Sequence, residues 1–464
     1  MGALASLFRA RGDRVTGSDV AFDPPIGPAL REAGVETMQG YDARHLDPAP
    51  DLVVVGNAIR RDNPEAIAAE QRDLPRSSMS GALREHFLKG RRAVVVCGTH
   101  GKTTTSSLCA WLLHDAHLDP GFFIGGVPKN FGVGAMIGRA QQSLVKPAAP
   151  FVVEGDEYDA VYWNKQPKFF DYVTSPNDVV IVTSIEHDHV DIYPTERAYE
   201  DAFASLFERV PEGGLTIVDV AQPRVLELAR KHSRARVVTY GLDASAEWSA
   251  TIAKSDDESR VAFDVFAGGS ACGRFASPLA GEHNVRNALC AIAMAAEGFG
   301  VAPSASRVAL ATFEGVKRRQ EMLGAPNGVS VYDDFAHHPT AVDETLRALR
   351  KKHASGRLVA IFEPRSATAC RSVHQAAYVH AFDAADLVLL APLGRTNVPE
   401  GERLDVARLA KEIGEKASAC ENVEEIVSKC VQYAKTGDAI AVLSNGAFGG
   451  IHPKLLRALA NVTR

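Results

Sequence analysis

Short apolar runs alternate with stretches of helical periodicity from one end of the chain to the other. Runs rich in Val, Ile and Leu, bounded by turn residues, mark strands buried on both faces. Such strands, separated by helices, build parallel sheets through βαβ crossovers. The pattern predicts strands at 14–18, 51–56, 93–97, 151–154, 179–183, 329–333, 358–363, 387–391 and 439–444. It predicts helices at 3–10, 103–115, 284–297, 341–352 and 406–417. Residues 235–280 alternate as short strands and predict a small antiparallel insertion. A basic stretch at 88–92 and the sequence G-V-K-R-R-Q at 315–320 divide the chain into three α/β units, about 1–90, 91–317 and 318–464. The opening helix has no strand before it. A nucleotide-type unit places a strand and a Gly-rich turn there, so this order predicts that the chain starts inside its first unit.

Composition narrows the class. With 464 residues, 46% of them hydrophobic, the chain can bury several cores and is not mainly disordered. A net charge of −6 argues against a broad nucleic-acid footprint. No run approaches the roughly 18 apolar residues of a membrane span, and residues 1–14 lack a signal-peptide core. The seven cysteines include no C-x-x-C, which disfavours a disulfide framework or a cysteine zinc site and fits a reducing cytoplasm.

Candidate chemistry gathers at predicted strand ends. Strand 93–97 runs into G-T-H-G-K-T-T-T at 98–105 and then a helix. This is a shortened phosphate loop. Its glycines, Gly98 and Gly101, admit an anion to backbone N–H groups, and the helix N-terminus favours negative charge. Thr99, His100 and Thr104 complete the cradle. Lys102 would reach the β and γ phosphates, and Thr103 offers a hydroxyl to Mg²⁺. Strand 151–154 ends in E-G-D-E-Y-D at 154–159, four carboxylates whose mutual repulsion a dication would relieve. Strand 179–183 ends in S-I-E-H-D-H-V-D-I-Y at 184–193, where H-D-H suits either a zinc site or a pair of core histidines. G-E-H-N-V-R-N at 281–287 opens a helix, with Asn284 able to cap or begin it. Y-D-D-F-A-H-H-P-T at 332–340 follows a strand of the third unit, with Pro339 at a helix start.

Taken together, these motifs resemble the Mur ligase family, the ATP-dependent amide-forming enzymes of cell-wall synthesis, over nearly the whole chain. G-G-V-P-K-N-F at 125–131, D-E-Y-D, E-P-R-S at 363–366 and S-N-G-A-F-G-G-I-H at 444–452 look closest to its recycling branch, the murein peptide ligases. The resemblance implies two Rossmann-like units flanking a central ATPase-type parallel sheet. It implies ATP and Mg²⁺ as cofactors. The substrates would be UDP-N-acetylmuramate and the murein tripeptide L-alanyl-γ-D-glutamyl-meso-diaminopimelate, with no nucleic acid and no membrane. By matched position, Lys102 holds the phosphates, Thr103 the first Mg²⁺, Glu154 bridges the metals and His189 binds the second. Asn287 contacts adenine, Arg319 faces the γ phosphate, and Asp333 or Asp334 meets the ribose. Ser18, Asp19, Asn57, His337, Arg365, Ser366 and Asn445 fall at substrate positions. A UDP-N-acetylmuramate–L-alanine ligase shares most of these motifs and stays open as an alternative. So does a non-catalytic nucleotide-binding protein.

Overall fold

The computed structural model describes residues 1–23, 26–139, 149–257, 259–395 and 397–461. A ten-stranded mixed sheet forms its centre. The strand order is Ser270–Ser277, Val261–Ala267, Trp248–Ala253, Arg236–Gly241, Leu215–Asp219, Val179–Val182, Ala93–Cys97, Phe151–Glu154, Gly121–Phe123 and Ala135–Met136. Ala93–Cys97 is buried throughout, as a parallel strand covered on both faces must be. Val94 and Val96 pack with Leu108 and Leu289, from the helices Lys102–Asp115 and Glu282–Ala293. Val95 and Cys97 pack on the opposite face with Phe203 and Phe207 of the helix Glu196–Arg209.

The strands of residues 248–277 are antiparallel, as expected, but they extend the central sheet. Tyr240 lies opposite Trp248 in parallel, and the next two strands continue the same sheet in antiparallel pairs. An unpaired sheet edge offers backbone donors and acceptors, and these hairpins satisfy them.

The N-terminal residues form two separate two-stranded parallel pairs, Thr16–Asp19 with Glu36–Gln39 and Val53–Val55 with Arg76–Ser78. The helix Gly2–Arg11 buries Leu4 and Leu7 in the same cluster as Phe87 and Phe151. Residues 315–317 join the central sheet to the last one and pair with the backbone at 127–129, where Lys129 N–H donates to Gly315 O at 2.9 Å and Lys317 N–H to Val127 O at 3.0 Å.

The last sheet has six strands in the order Glu321–Gly324, Ser330–Asp334, Ala439–Leu443, Leu358–Phe362, Leu387–Leu390 and Ala417–Ala419. All pair in parallel except the first. The expected helix 406–417 stops at Ile413, because Gly414 takes φ +97°, a conformation costly for other residues. The chain then adds Ala417–Ala419 as an edge strand. Among the described residues, no helix is long and apolar enough to cross a membrane.

Candidate active site

The three motif-bearing strands are immediate neighbours. Ala93–Cys97 lies between Val179–Val182 and Phe151–Glu154, all parallel, so their following loops converge at one edge. Ligands bind at such carboxyl ends in open α/β sheets.

Lys102 Nζ donates to the Gly98 carbonyl and to both oxygens of Glu157, at 3.1 and 3.2 Å. Glu157 is 1% exposed and also accepts from Tyr199 Oη at 2.7 Å. His189 Nε2 stands 3.6 Å from the same carboxylate. Burial pushes the Glu157 carboxyl up, but Lys102, His189 and Tyr199 outweigh it and hold it at about 2. Thus Glu157, rather than Glu154, is the carboxylate beside His189. The sequence reading singles out Glu154 of the run and not Glu157, and Tyr199 carries no local signal at all.

Thr103 Oγ1 donates to Glu154 Oε1 at 3.0 Å and accepts from Arg319 Nη2 at 3.1 Å. The Gly125 amide donates to Glu154 Oε2 at 2.8 Å. Burial, then Asp156, push the Glu154 carboxyl up, with Lys102, Gly125 and Arg319 opposing. Asp156 has its own partner in Lys168, at 3.5 Å. The charge excess inferred from the motif therefore settles on Glu154, next to the Thr103 hydroxyl and the phosphate loop. That donor set fits Mg²⁺, which prefers oxygen ligands.

The loop's own amides are partly spent. Thr99 N–H donates to Ser184 O and His100 N–H to Ser184 Oγ, both at 3.0 Å. The first intrahelical bond runs from Thr105 N–H to Gly101 O, so the amides of Lys102, Thr103 and Thr104 face the helix mouth without helical partners. These three, unlike the Thr99 and His100 amides, are left open to an anion.

The histidines of H-D-H serve different partners. His187 Nε2 meets the Tyr193 carbonyl at 2.8 Å, whereas His189 meets Glu157, so the pair is not one zinc site. Burial raises the Asp188 carboxyl, yet His189 and His337 hold it well below the usual range. His100 Nε2 lies 3.1 Å from Glu186 Oε2, and His338 Nδ1 lies 3.5 Å from the same oxygen. Burial pushes the His338 imidazole down to about 3, helped by His100 and His374.

Asn284 lies inside its helix, not at the cap, and donates to Ala280 O at 2.7 Å. Asn287 accepts from Thr105 Oγ1 at 3.2 Å, which sets it against the phosphate-loop helix. Asp334 spends both oxygens on the Gln320 and Ala336 amides, each at 2.7 Å. It clips the turn that presents Arg319, and Asp333 is engaged as well, with His452 Nε2 at 3.2 Å from its Oδ1. Asp333 pairs with Arg318 at 3.2 Å.

In the last sheet, Phe362 is opposite Leu443, so the loops at 363–366 and 444–446 are adjacent. Glu363 accepts from Ser444 Oγ and sits 3.5 Å from Arg365 Nη1. The Arg365 side chain lies so close over Gly446 that an added Cβ would fall 2.1 Å from its Cδ. Ser366 Oγ caps its own turn by accepting from Ala369 N–H at 2.9 Å. Asn445 Oδ1 is buried with no hydrogen-bond partner.

Near the N-terminus, Ser18 Oγ is already committed to Glu65, and Asp19 accepts from its neighbour Val20 N–H at 2.7 Å. Asn57 lines a cavity of about 850 Å³ together with Arg60, Arg61, Arg76, Trp163 and Lys165. The cavity also touches Glu70 and Asp159, and its cations outnumber its acids.

The chain matches the Mur ligase family catalytic domain over residues 1–91, the Mur ligase middle domain over 96–295, and the Mur ligase glutamate ligase domain over 318–446. It is 38% identical, over 99% of its length and 96% of the relative's, to the UDP-N-acetylmuramate–L-alanyl-gamma-D-glutamyl-meso-2,6-diaminoheptandioate ligase of Escherichia coli (strain K12). It is 33% identical to the UDP-N-acetylmuramate–L-alanine ligase of Agrobacterium fabrum (strain C58), over 96% of this chain and 92% of that one. The crystal structure of a murein peptide ligase from Psychrobacter arcticus 273-4 superimposes with a TM-score of 0.73 at 35% identity, covering 100% of this chain and 97% of that one. With phosphate loop, buried lysine and arginine in place, the chain belongs to the Mur ligase family of ATP-dependent ligases.

Proposed function

We propose that the chain joins UDP-N-acetylmuramate to the tripeptide L-alanyl-γ-D-glutamyl-meso-diaminopimelate in the cytoplasm, as part of cell-wall peptide recycling. The muramoyl carboxylate oxygen attacks the γ phosphorus of ATP and ADP leaves, giving an acyl phosphate. The peptide amine then attacks the acyl carbon, loses its proton, and the C–O bond to phosphate breaks. A carboxylate needs this activation because oxide is too poor a leaving group.

The observation that carries this reading is Arg319 reaching Thr103 Oγ1 at 3.1 Å. It sets a guanidinium from the start of the third unit at the mouth of the phosphate loop, opposite Lys102. Two fixed cations there stabilise charge developing on the transferring phosphoryl group. Thr103, Glu154 and His189 would hold magnesium, which supplies further charge neutralisation when bound. Asn287 would meet adenine, and Asp334 or its neighbour Asp333 the ribose. The division of labour follows the units 1–90 for the sugar nucleotide, 91–317 for ATP and 318–464 for the peptide. The cationic cavity beside Asn57 suits a diphosphate. Arg365 suits a peptide carboxylate, gripped in two places, and the unpartnered Asn445 oxygen suits a peptide N–H. His337, a third-unit residue, lies near enough to Asp188 of the central unit for their charges to interact.

The test is phosphate release and product mass with UDP-N-acetylmuramate, ATP and either the tripeptide or L-alanine. A higher kcat/KM for the tripeptide is expected. Preference for L-alanine would assign the chain to the L-alanine-adding reaction, and no turnover with either would reject ligation of UDP-N-acetylmuramate.

A further inference from the structure

His100, Glu186 and His338 come from three separate places. His100 belongs to the phosphate loop, Glu186 to the loop after Val179–Val182, and His338 caps the third-unit helix Pro339–Lys352. We propose that these three side chains form a binding site for a transition-metal dication of the zinc type, shared between the phosphate loop and the third unit.

Distances support it first. One donor atom from each residue lies within 4.8 Å of the other two. A tetrahedral zinc ion with bonds of about 2.0–2.2 Å holds its ligand atoms about 3.3–3.5 Å apart. The observed separations from Glu186 Oε2 are 3.1 Å to His100 Nε2 and 3.5 Å to His338 Nδ1. His100 must shift slightly outward, its separation from His338, within 4.8 Å, must adjust to the tetrahedral spacing, and His338 Nδ1 must exchange the 3.4 Å hydrogen bond it accepts from Thr340 N–H for the metal.

The donor types support it next. Two imidazoles and one carboxylate suit Zn²⁺ or Co²⁺ better than Mg²⁺, which prefers an all-oxygen shell. The groups proposed above for magnesium, Thr103, Glu154 and His189, are not shared with this cluster. Thr340 Oγ1 donates to Glu186 at 2.7 Å, the kind of outer hydrogen bond that orients a ligating carboxylate.

A fourth group waits beside them. The His374 ring centroid is 4.6 Å from that of His338, and His374 Nε2 is buried without a hydrogen-bond partner. Such an atom needs a partner, and a metal-bound water would supply one. An occupied site would tie the third unit to the phosphate loop at a point the ligation chemistry does not use.

The experiment measures zinc bound to the whole chain by equilibrium dialysis without ATP, and locates the ion in zinc-soaked crystals by anomalous scattering. One equivalent of zinc is expected, with its anomalous peak among His100, Glu186 and His338. The Co²⁺ form should show the visible absorption of a low-coordinate nitrogen–oxygen site. Glu186→Gln and His338→Asn should each weaken zinc binding at least tenfold. Asparagine keeps the helix cap, so this variant separates ligation from folding. A peak elsewhere, no stoichiometric zinc at micromolar concentration, or unchanged affinity in both folded variants would overturn the proposal. The soaked crystal of the unmodified chain decides even where a variant does not fold.

Discussion

Lys102 and Glu157 form a buried ion pair, with Nζ at 3.1 and 3.2 Å from the two carboxylate oxygens and Glu157 only 1% exposed. The lysine of the phosphate loop is therefore held in place by a buried carboxylate. Removing one partner of a buried pair leaves the other uncompensated, at a cost of about 3–5 kcal/mol. Tyr199 and His189 remain beside Glu157 and place this case at the lower end. Lys102→Ala is expected to lower the thermal midpoint and to cut ligation by roughly 10²–10³-fold or more. Adding Glu157→Gln should restore the midpoint without restoring activity. Thermal melts and phosphate release on the single and double variants check both parts.

Glu154 is the carboxylate left short of positive partners, so its loss should appear in magnesium dependence. Glu154→Gln is expected to raise half-saturating magnesium by roughly tenfold or more, with ATP affinity in excess magnesium much less affected. Activity titrated against magnesium decides. An unchanged curve would remove Glu154 from the metal site.

Arg365 and Gly446 are expected to behave as one unit. Arg365→Ala removes a charged hydrogen-bond donor, commonly a contribution of about 1.5–3 kcal/mol, and should raise KM for the peptide about tenfold or more. Gly446→Ala should act similarly, because the new methyl would lie 2.1 Å from Arg365 Cδ and must displace it. KM for ATP should stay nearly unchanged in both. Steady-state kinetics with each substrate varied in turn is the check.

Acid should destabilise the protein partly through His283. Burial, with Arg286 nearby, pushes its imidazole down to about 4, and Gln320 Nε2 lies 3.3 Å from its Nε2. An unfolded histidine titrates near 6.5, so between about pH 6.5 and 4 the unfolded chain binds a proton that the folded one does not. Its contribution to stability is full above about pH 6.5 and falls as pH drops toward 4, by on the order of 3 kcal/mol. Urea unfolding across this range should show a shallower pH slope for His283→Gln than for the unsubstituted chain.

The amino-acid sequence by itself determined the α/β class and the positions of most elements. Apolar runs such as A-V-V-V-C and V-V-I-V report burial on both faces, and the helical period of 341–352 reports one buried face. It also placed the phosphate loop, the acidic run and the histidines at strand ends, since glycine and charge punctuate local structure. What periodicity cannot carry is pairing between distant strands. Only the fold set Ala93–Cys97 between its two motif-bearing neighbours, ran the hairpins of 248–277 onto the central sheet, and added Ala417–Ala419 to the last one. Side-chain chemistry divided in the same way. The run E-G-D-E-Y-D announced carboxylates, but Glu157 took Lys102 because Tyr199, 42 residues away, and His189 closed around it. His100, Glu186 and His338 met because a third-unit helix docks over the phosphate loop. Local sequence records what each segment prefers to bury, whereas a site's charge balance depends on partners that only long-range packing brings within a few ångströms.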